Sequence, residues 1–103
     1  MKDVKVYLKS RRYNATGIFD NGKITIQKGS IINSTFGENY AFSPKVKAWR
    51  ESKDYVDKQF VLKKDITFSS PSTAAQFVLG YSANGWKSWR TENKEYIEIF
   101  RES

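Results

Sequence analysis

"ATGIFDNGKITIQKGS", residues 15–30, contains the outline of a hairpin. Asp20-Asn21-Gly22 separates two β-prone runs, and Asn-Gly tolerates the positive φ that tight primed turns need. On the far side, Lys23 to Lys28 alternates polar and apolar residues, the period of a half-buried strand, until Gly29-Ser30 ends it. On the near side, residues 12–19, with Tyr13, Ile18 and Phe19 around Gly17, read as the partner strand. Working outward, Asp3 to Lys9 alternates as well, so the chain is predicted to open with three antiparallel strands.

Residues 31–42 show no period and are predicted to be a loop held to the core by Phe36, Tyr40 and Phe42. Ser43-Pro44 predicts a helix start, since proline at the first helical position lacks only an N–H that would have no partner there. A stripe of Val46, Trp49 and Tyr55 or Val56 carries that helix over about 44–55. Residues 60–68 read as two short β-prone pieces around a Lys63-Lys64-Asp65 turn. Ser70-Pro71 repeats the helix signal, and Ala74, Ala75, Phe77, Val78 and Leu79 form an uncharged second helix closed by Gly80. After Asn84-Gly85, Trp86 to Thr91 reads as a strand, and Glu95 to Phe100 as the last one, with Glu92-Asn93-Lys94 as a hairpin link. The predicted class is α+β: a single domain over residues 1–103, with an antiparallel or mixed sheet and two helices packed on one face.

The 103 residues suit one core and leave no room for a second domain. Eighteen Lys and Arg against eleven Asp and Glu give a charge of +7 and a pI near 9.7, a balance that attracts polyanions. With no cysteine, thiolate chemistry and disulfides are excluded, and with no histidine, so is every mechanism that needs an imidazole. No apolar run reaches membrane-span length and the first residues lack a signal-peptide core, so the expectation is a cytoplasmic protein with no membrane partner. For the same reason the sequons at Asn14 and Asn33 read as coincidental. The carboxylates are scattered without a metal-binding spacing, and Glu95 and Glu98 would face opposite ways on a strand. The reading is non-enzymatic and cofactor-free, and a metal-dependent nuclease is the class set aside.

Basic clusters at Lys9 to Arg12, Lys45 to Arg50, Lys63-Lys64 and Lys87 to Arg90 offer phosphate contacts if the fold gathers them on one face. From these, Arg11, Arg12, Lys63, Lys64, Lys87 and Arg90 are candidate nucleic-acid contacts. Ser70 and Ser72 stand at the positive end of a helix dipole, where hydroxyls and backbone N–H groups suit a phosphate, although capping by Ser70 explains the same residues. In a strand, Trp86 and Trp89 are an odd number apart and face opposite sides, which assigns Trp86 to the core. Trp89 is then left outside, between cations, either as a platform for a base or as packing under a neighbouring segment.

The stretch "FSSPSTAAQFVLGYSANGW", Phe68 to Trp86, followed by Trp89, resembles a family of small C-terminal domains of unknown function. Its marks are the Ser-Pro-Ser helix start, Ala74-Ala75, Leu79-Gly80 and Asn84-Gly85-Trp86, and Ala15 to Ser30 is similar to that family's hairpin. The resemblance covers about residues 10–91. Such domains are appended to GIY-YIG-type nucleases and restriction-modification proteins, and a related domain is associated with restriction enzymes and adenine methylases. The resemblance implies a bacterial DNA-transaction setting without implying a reaction, and here no GIY-YIG core accompanies the domain. The combined expectation is a nucleic-acid-binding or targeting module that takes DNA rather than RNA. The alternative is a protein-interaction module that docks a nuclease or methylase partner through Trp89 and the aromatic loop.

Overall fold

The computed structural model describes residues 3–35 and 44–100. The first three strands form a meander: β1 (Val4–Lys9), β2 (Asn14–Asp20) and β3 (Lys23–Ile26). Between β2 and β3, Asn21 and Gly22 have φ of 50° and 86°, the left-handed pair that a type I′ turn requires, and Asp20 faces Lys23 across it. The helix α1 (Pro44–Glu51) precedes β4 (Ile66–Phe68), which adds to β3 and completes an antiparallel sheet ordered β1-β2-β3-β4. Helix α2 (Pro71–Leu79) follows.

Register explains why this sheet buries one face. Val6, Gly17, Ile26 and Ile66 lie in one cross-strand row, and Phe19, Ile24 and Phe68 in the next, all of them buried. Alternation sends Lys5, Tyr7, Thr25 and Thr67 to the other face, where the two threonine hydroxyls bond at 2.8 Å. Both helices cover the apolar face: Phe77 of α2 packs on Phe68 at 5.2 Å between ring centroids, and Trp49 of α1 meets Phe68 edge-on at 6.4 Å. The predicted α+β class and three-strand opening are observed, and the sheet is antiparallel rather than mixed.

Helix α2 has both of its expected ends. The Ser70 hydroxyl accepts from Thr73 N–H at 3.1 Å, a cap that contributes about 1 kcal/mol. Gly80 closes the helix in the left-handed region at φ 80°. Beside that end lies the buried Arg50, whose guanidinium donates to the carbonyls of Phe77 at 2.6 Å and Asn33 at 2.5 Å. The buried Asn33 amide donates to Leu79 O at 2.9 Å. A cation at a helix C-terminus is favoured by the exposed carbonyls and the dipole. Burial, which disfavours the charged form, pushes the Arg50 pKa down to about 10, so it remains a cation at neutral pH. Arg50 thus leaves the surface basic cluster in which the sequence places it.

Several expectations need correction. Helix α1 stops at Glu51, because the chain turns over Ser52–Val56 so that Val56 can bridge Leu62 and Tyr55 can meet Trp49 edge-to-face at 4.7 Å. Ser43 and the loop aromatics Phe36, Tyr40 and Phe42 lie outside the described residues. Ile31 at the start of the predicted loop is bridged to Asn14 and Val61. The two predicted C-terminal strands are absent among the described residues: Gly85–Lys87 and Ile97–Phe100 are 3₁₀ turns, and only single bridges join Arg90 to Tyr7 and to Tyr96.

With no strand at 86–91, the parity that separated the tryptophans fails and their places exchange. Trp89 is fully buried at 0 % exposure, whereas Trp86 is half-buried and packs edge-on to Phe19 at 5.7 Å.

Candidate functional site

The Asn84 side chain accepts from Trp86 N–H at 3.0 Å and starts the 3₁₀ turn, so Asn84 serves as its cap. Gly85 then seats against the start of α2. Its N–H donates to the Ser72 hydroxyl at 3.0 Å, and a Cβ there would lie 2.0 Å from the Pro71 carbonyl carbon and 2.3 Å from Ser72 N. Trp89 Nε1–H donates to Pro71 O at 3.1 Å. Ser70 and Ser72 are thereby committed to internal bonds, and Gly85 occupies the space over Ser72 N where an anion would sit. Trp89, being buried, offers no face to a base. Capping and packing account for these candidates in place of phosphate binding and stacking.

One residue beyond Trp89 the chain emerges. Arg90 exchanges both backbone hydrogen bonds with Tyr7 of β1, Tyr7 N–H to Arg90 O at 2.7 Å and Arg90 N–H to Tyr7 O at 3.0 Å. Thr91 N–H donates to Glu95 O at 2.8 Å and turns the chain back, so residues 90–96 form a rim along the β1 edge. Between rim and sheet edge lies an open groove of about 690 Å³. Four tyrosines line it: Tyr7, Tyr13, Tyr81 and Tyr96. Lys9, Lys87, Arg90 and Lys94 line it with them, against one carboxylate, Glu92, among the described residues.

Rings and cations are paired within the groove. The Arg90 guanidinium carbon is 4.4 Å from the Tyr96 ring centroid, with a hydrogen bond of 2.7 Å to the Tyr96 hydroxyl. Lys9 Nζ is 4.8 Å from the Tyr7 centroid, and the Tyr7 hydroxyl donates to Glu92 Oε1 at 3.4 Å. Such contacts hold flexible cations over ring faces at about 0.5–1 kcal/mol each at exposed sites. Tyr81 and Tyr96 are each 39 % exposed.

Of the sequence candidates, Lys87 and Arg90 therefore converge on one groove. Arg11 and Arg12 are exposed in the β1–β2 loop beside Lys9 and Tyr13, at one end of it. Lys63 and Lys64 are elsewhere, next to β4 on the opposite sheet edge, three strand spacings or roughly 14 Å away. There Lys63 Nζ donates to Lys53 O at 3.0 Å and Lys64 lies 5.3 Å from the Tyr55 centroid. Tyr7 escaped notice in the sequence, and Lys9 was named only as part of the basic cluster Lys9 to Arg12, although Lys5-Tyr7-Lys9 occupies alternate positions of one strand and so one face. Tyr96 carries no local signal, because the bridges through Arg90 bring it to β1, and Tyr81 carries none because it enters the groove from the end of α2.

Among the described residues, no group of three or more acidic side chains could hold a metal ion, and no helix is long and apolar enough to cross a membrane. Fold and groove define a small basic α+β domain with an aromatic and cationic cleft. Residues 6–100 match the family described as Domain of unknown function (DUF4357), and the chain belongs to that family. No curated protein and no solved structure matches it.

Proposed function

We propose that this domain is a non-catalytic nucleic-acid-binding module, directed to DNA, that holds its ligand in the groove along β1. The observation that carries the reading is the interleaving of four tyrosines with four cations in one cleft. Lys and Arg neutralise phosphates while ring faces accept bases, the combination that nucleic-acid grooves use. The net charge of +7 adds long-range attraction. Similarity of the Phe68 to Trp89 stretch to domains appended to nucleases and restriction-modification proteins supports a targeting role in cytoplasmic DNA transactions.

A titration of labelled DNA at low and physiological salt tests this. Binding should weaken by orders of magnitude over that range. Absence of binding to both single-stranded and duplex DNA at low salt would end the proposal. A second reading, docking of a nuclease or methylase partner, is favoured by Ile99 and Phe100, which are 58 % and 41 % exposed. Apolar docking of that kind would be nearly insensitive to salt.

A further inference from the structure

Resting on the DNA-binding reading, we infer that the groove takes unpaired nucleotides and rejects duplex. The first reason is shape. Proteins that read duplex place a convex element, a helix or β-ribbon, into a DNA groove. Here the cationic and aromatic side chains line a concavity of about 690 Å³, the volume of a pocket for a small organic ligand. A base swung out of a strand fits such a space, whereas a base pair held in a stack cannot enter it.

The second reason is the chemistry of the lining. A tyrosine face gains by covering a base face, and in duplex DNA those faces are already covered by neighbouring pairs. Phosphates alone would account for Lys9 and Arg90, but not for Tyr81 and Tyr96 standing 39 % exposed beside them. Arg90 rests 4.4 Å from the Tyr96 centroid and Lys9 4.8 Å from that of Tyr7, so each of these rings stands beside a cation. Ring and cation together match the base and phosphate of one nucleotide. Glu92 also suits an unpaired base: a carboxylate opposes phosphates, but it accepts from the exocyclic amino groups that pairing would occupy.

The test compares a fluorescent oligothymidine strand with a blunt duplex of equal length and a polyaspartate peptide, by anisotropy at low salt. The strand should bind at least about tenfold more tightly than the duplex. Tyr96→Leu and Tyr81→Leu, surface changes that keep the apolar bulk, should each weaken strand binding roughly 5- to 150-fold and leave duplex binding unchanged. Circular dichroism checks that both variants fold. Equal affinity for strand and duplex, or tyrosine variants that bind the strand like the parent, would overturn this inference while leaving the DNA-binding reading standing. Tighter capture of polyaspartate than of either DNA would overturn both, as would absence of DNA binding.

Discussion

The indole N–H of Trp89 donates to the carbonyl of Pro71 at 3.1 Å, joining the C-terminal segment to the first turn of α2. With Gly85 seated over Ser72, this bond explains why the Ser-Pro-Ser and Asn-Gly-Trp elements occur together in the sequence: each is the other's packing surface. Trp89→Phe keeps most of the ring but removes the indole N–H that bonds the buried Pro71 carbonyl. It should destabilise the fold by about 2 kcal/mol. Thermal unfolding should show a midpoint lower by roughly 10 °C, and an unchanged midpoint would refute the structural role.

Gly85→Ala should be more damaging than its size suggests. The added methyl would fall 2.0 Å from the Pro71 carbonyl carbon and 2.3 Å from Ser72 N, both backbone atoms that cannot rotate away. A loss of about 3 kcal/mol is expected in urea unfolding. Gly22→Ala, with nothing within 4 Å of its Cβ among the described residues, meets the backbone strain of φ 86° and should cost less.

Arg50 is expected to act on stability alone. Its fork reaches Phe77 O and Asn33 O together, a geometry that a lysine ammonium cannot reproduce. Arg50→Lys and Arg50→Met should each lower stability by about 3 kcal/mol, because buried carbonyls lose their donors. Under conditions where either variant remains folded, DNA affinity should equal that of the parent, since Arg50 is buried and is not among the described residues that line the groove.

Charge in the groove should be legible in salt dependence. Lys87→Gln and Lys94→Gln should each reduce the slope of log affinity against log salt by roughly one. Lys63→Gln and Lys64→Gln, on the far sheet edge, should leave it unchanged. Equal effects from both pairs would mean that net charge, not the groove, governs binding.

Glu92 offers a change in the opposite direction. Glu92→Gln removes the one carboxylate that lines the groove among the described residues and should strengthen binding of oligothymidine, which has no exocyclic amino group to satisfy it. A gain of about threefold or more at low salt is expected. A loss would indicate that the carboxylate orders Tyr7 through the 3.4 Å contact.

The hairpin and α2 were legible because their signals are local. Asn21-Gly22 sets its own dihedrals, Ser70 reaches only to Thr73, and alternation fixes which strand face is buried. The C-terminal quarter was misread because its order comes from distant partners. Glu95 to Phe100 alternates like a strand, yet it forms a 3₁₀ turn in which Ile97 is buried and Phe100 stacks on Phe19 at 5.9 Å. Likewise, parity put Trp86 in the core and Trp89 outside on the premise of a strand, and the Asn84 cap removes that premise. The groove was half visible: Lys87 and Arg90 stand in a conspicuous motif, while Tyr96 reaches β1 through the pairing of Arg90 with Tyr7 and Tyr81 enters from the end of α2.

That pairing gives the groove a property that its lining alone does not. Arg90 is bonded to Tyr7 through both its N–H and its carbonyl, and the residue before it is fixed in the core. The backbone under the cleft is therefore pre-organised, so a ligand meets a surface whose ordering cost was met during folding rather than at capture. Affinity and fold stability become linked quantities: a change that loosens Trp89 should relax Arg90 as well, and so weaken capture without touching a residue of the groove.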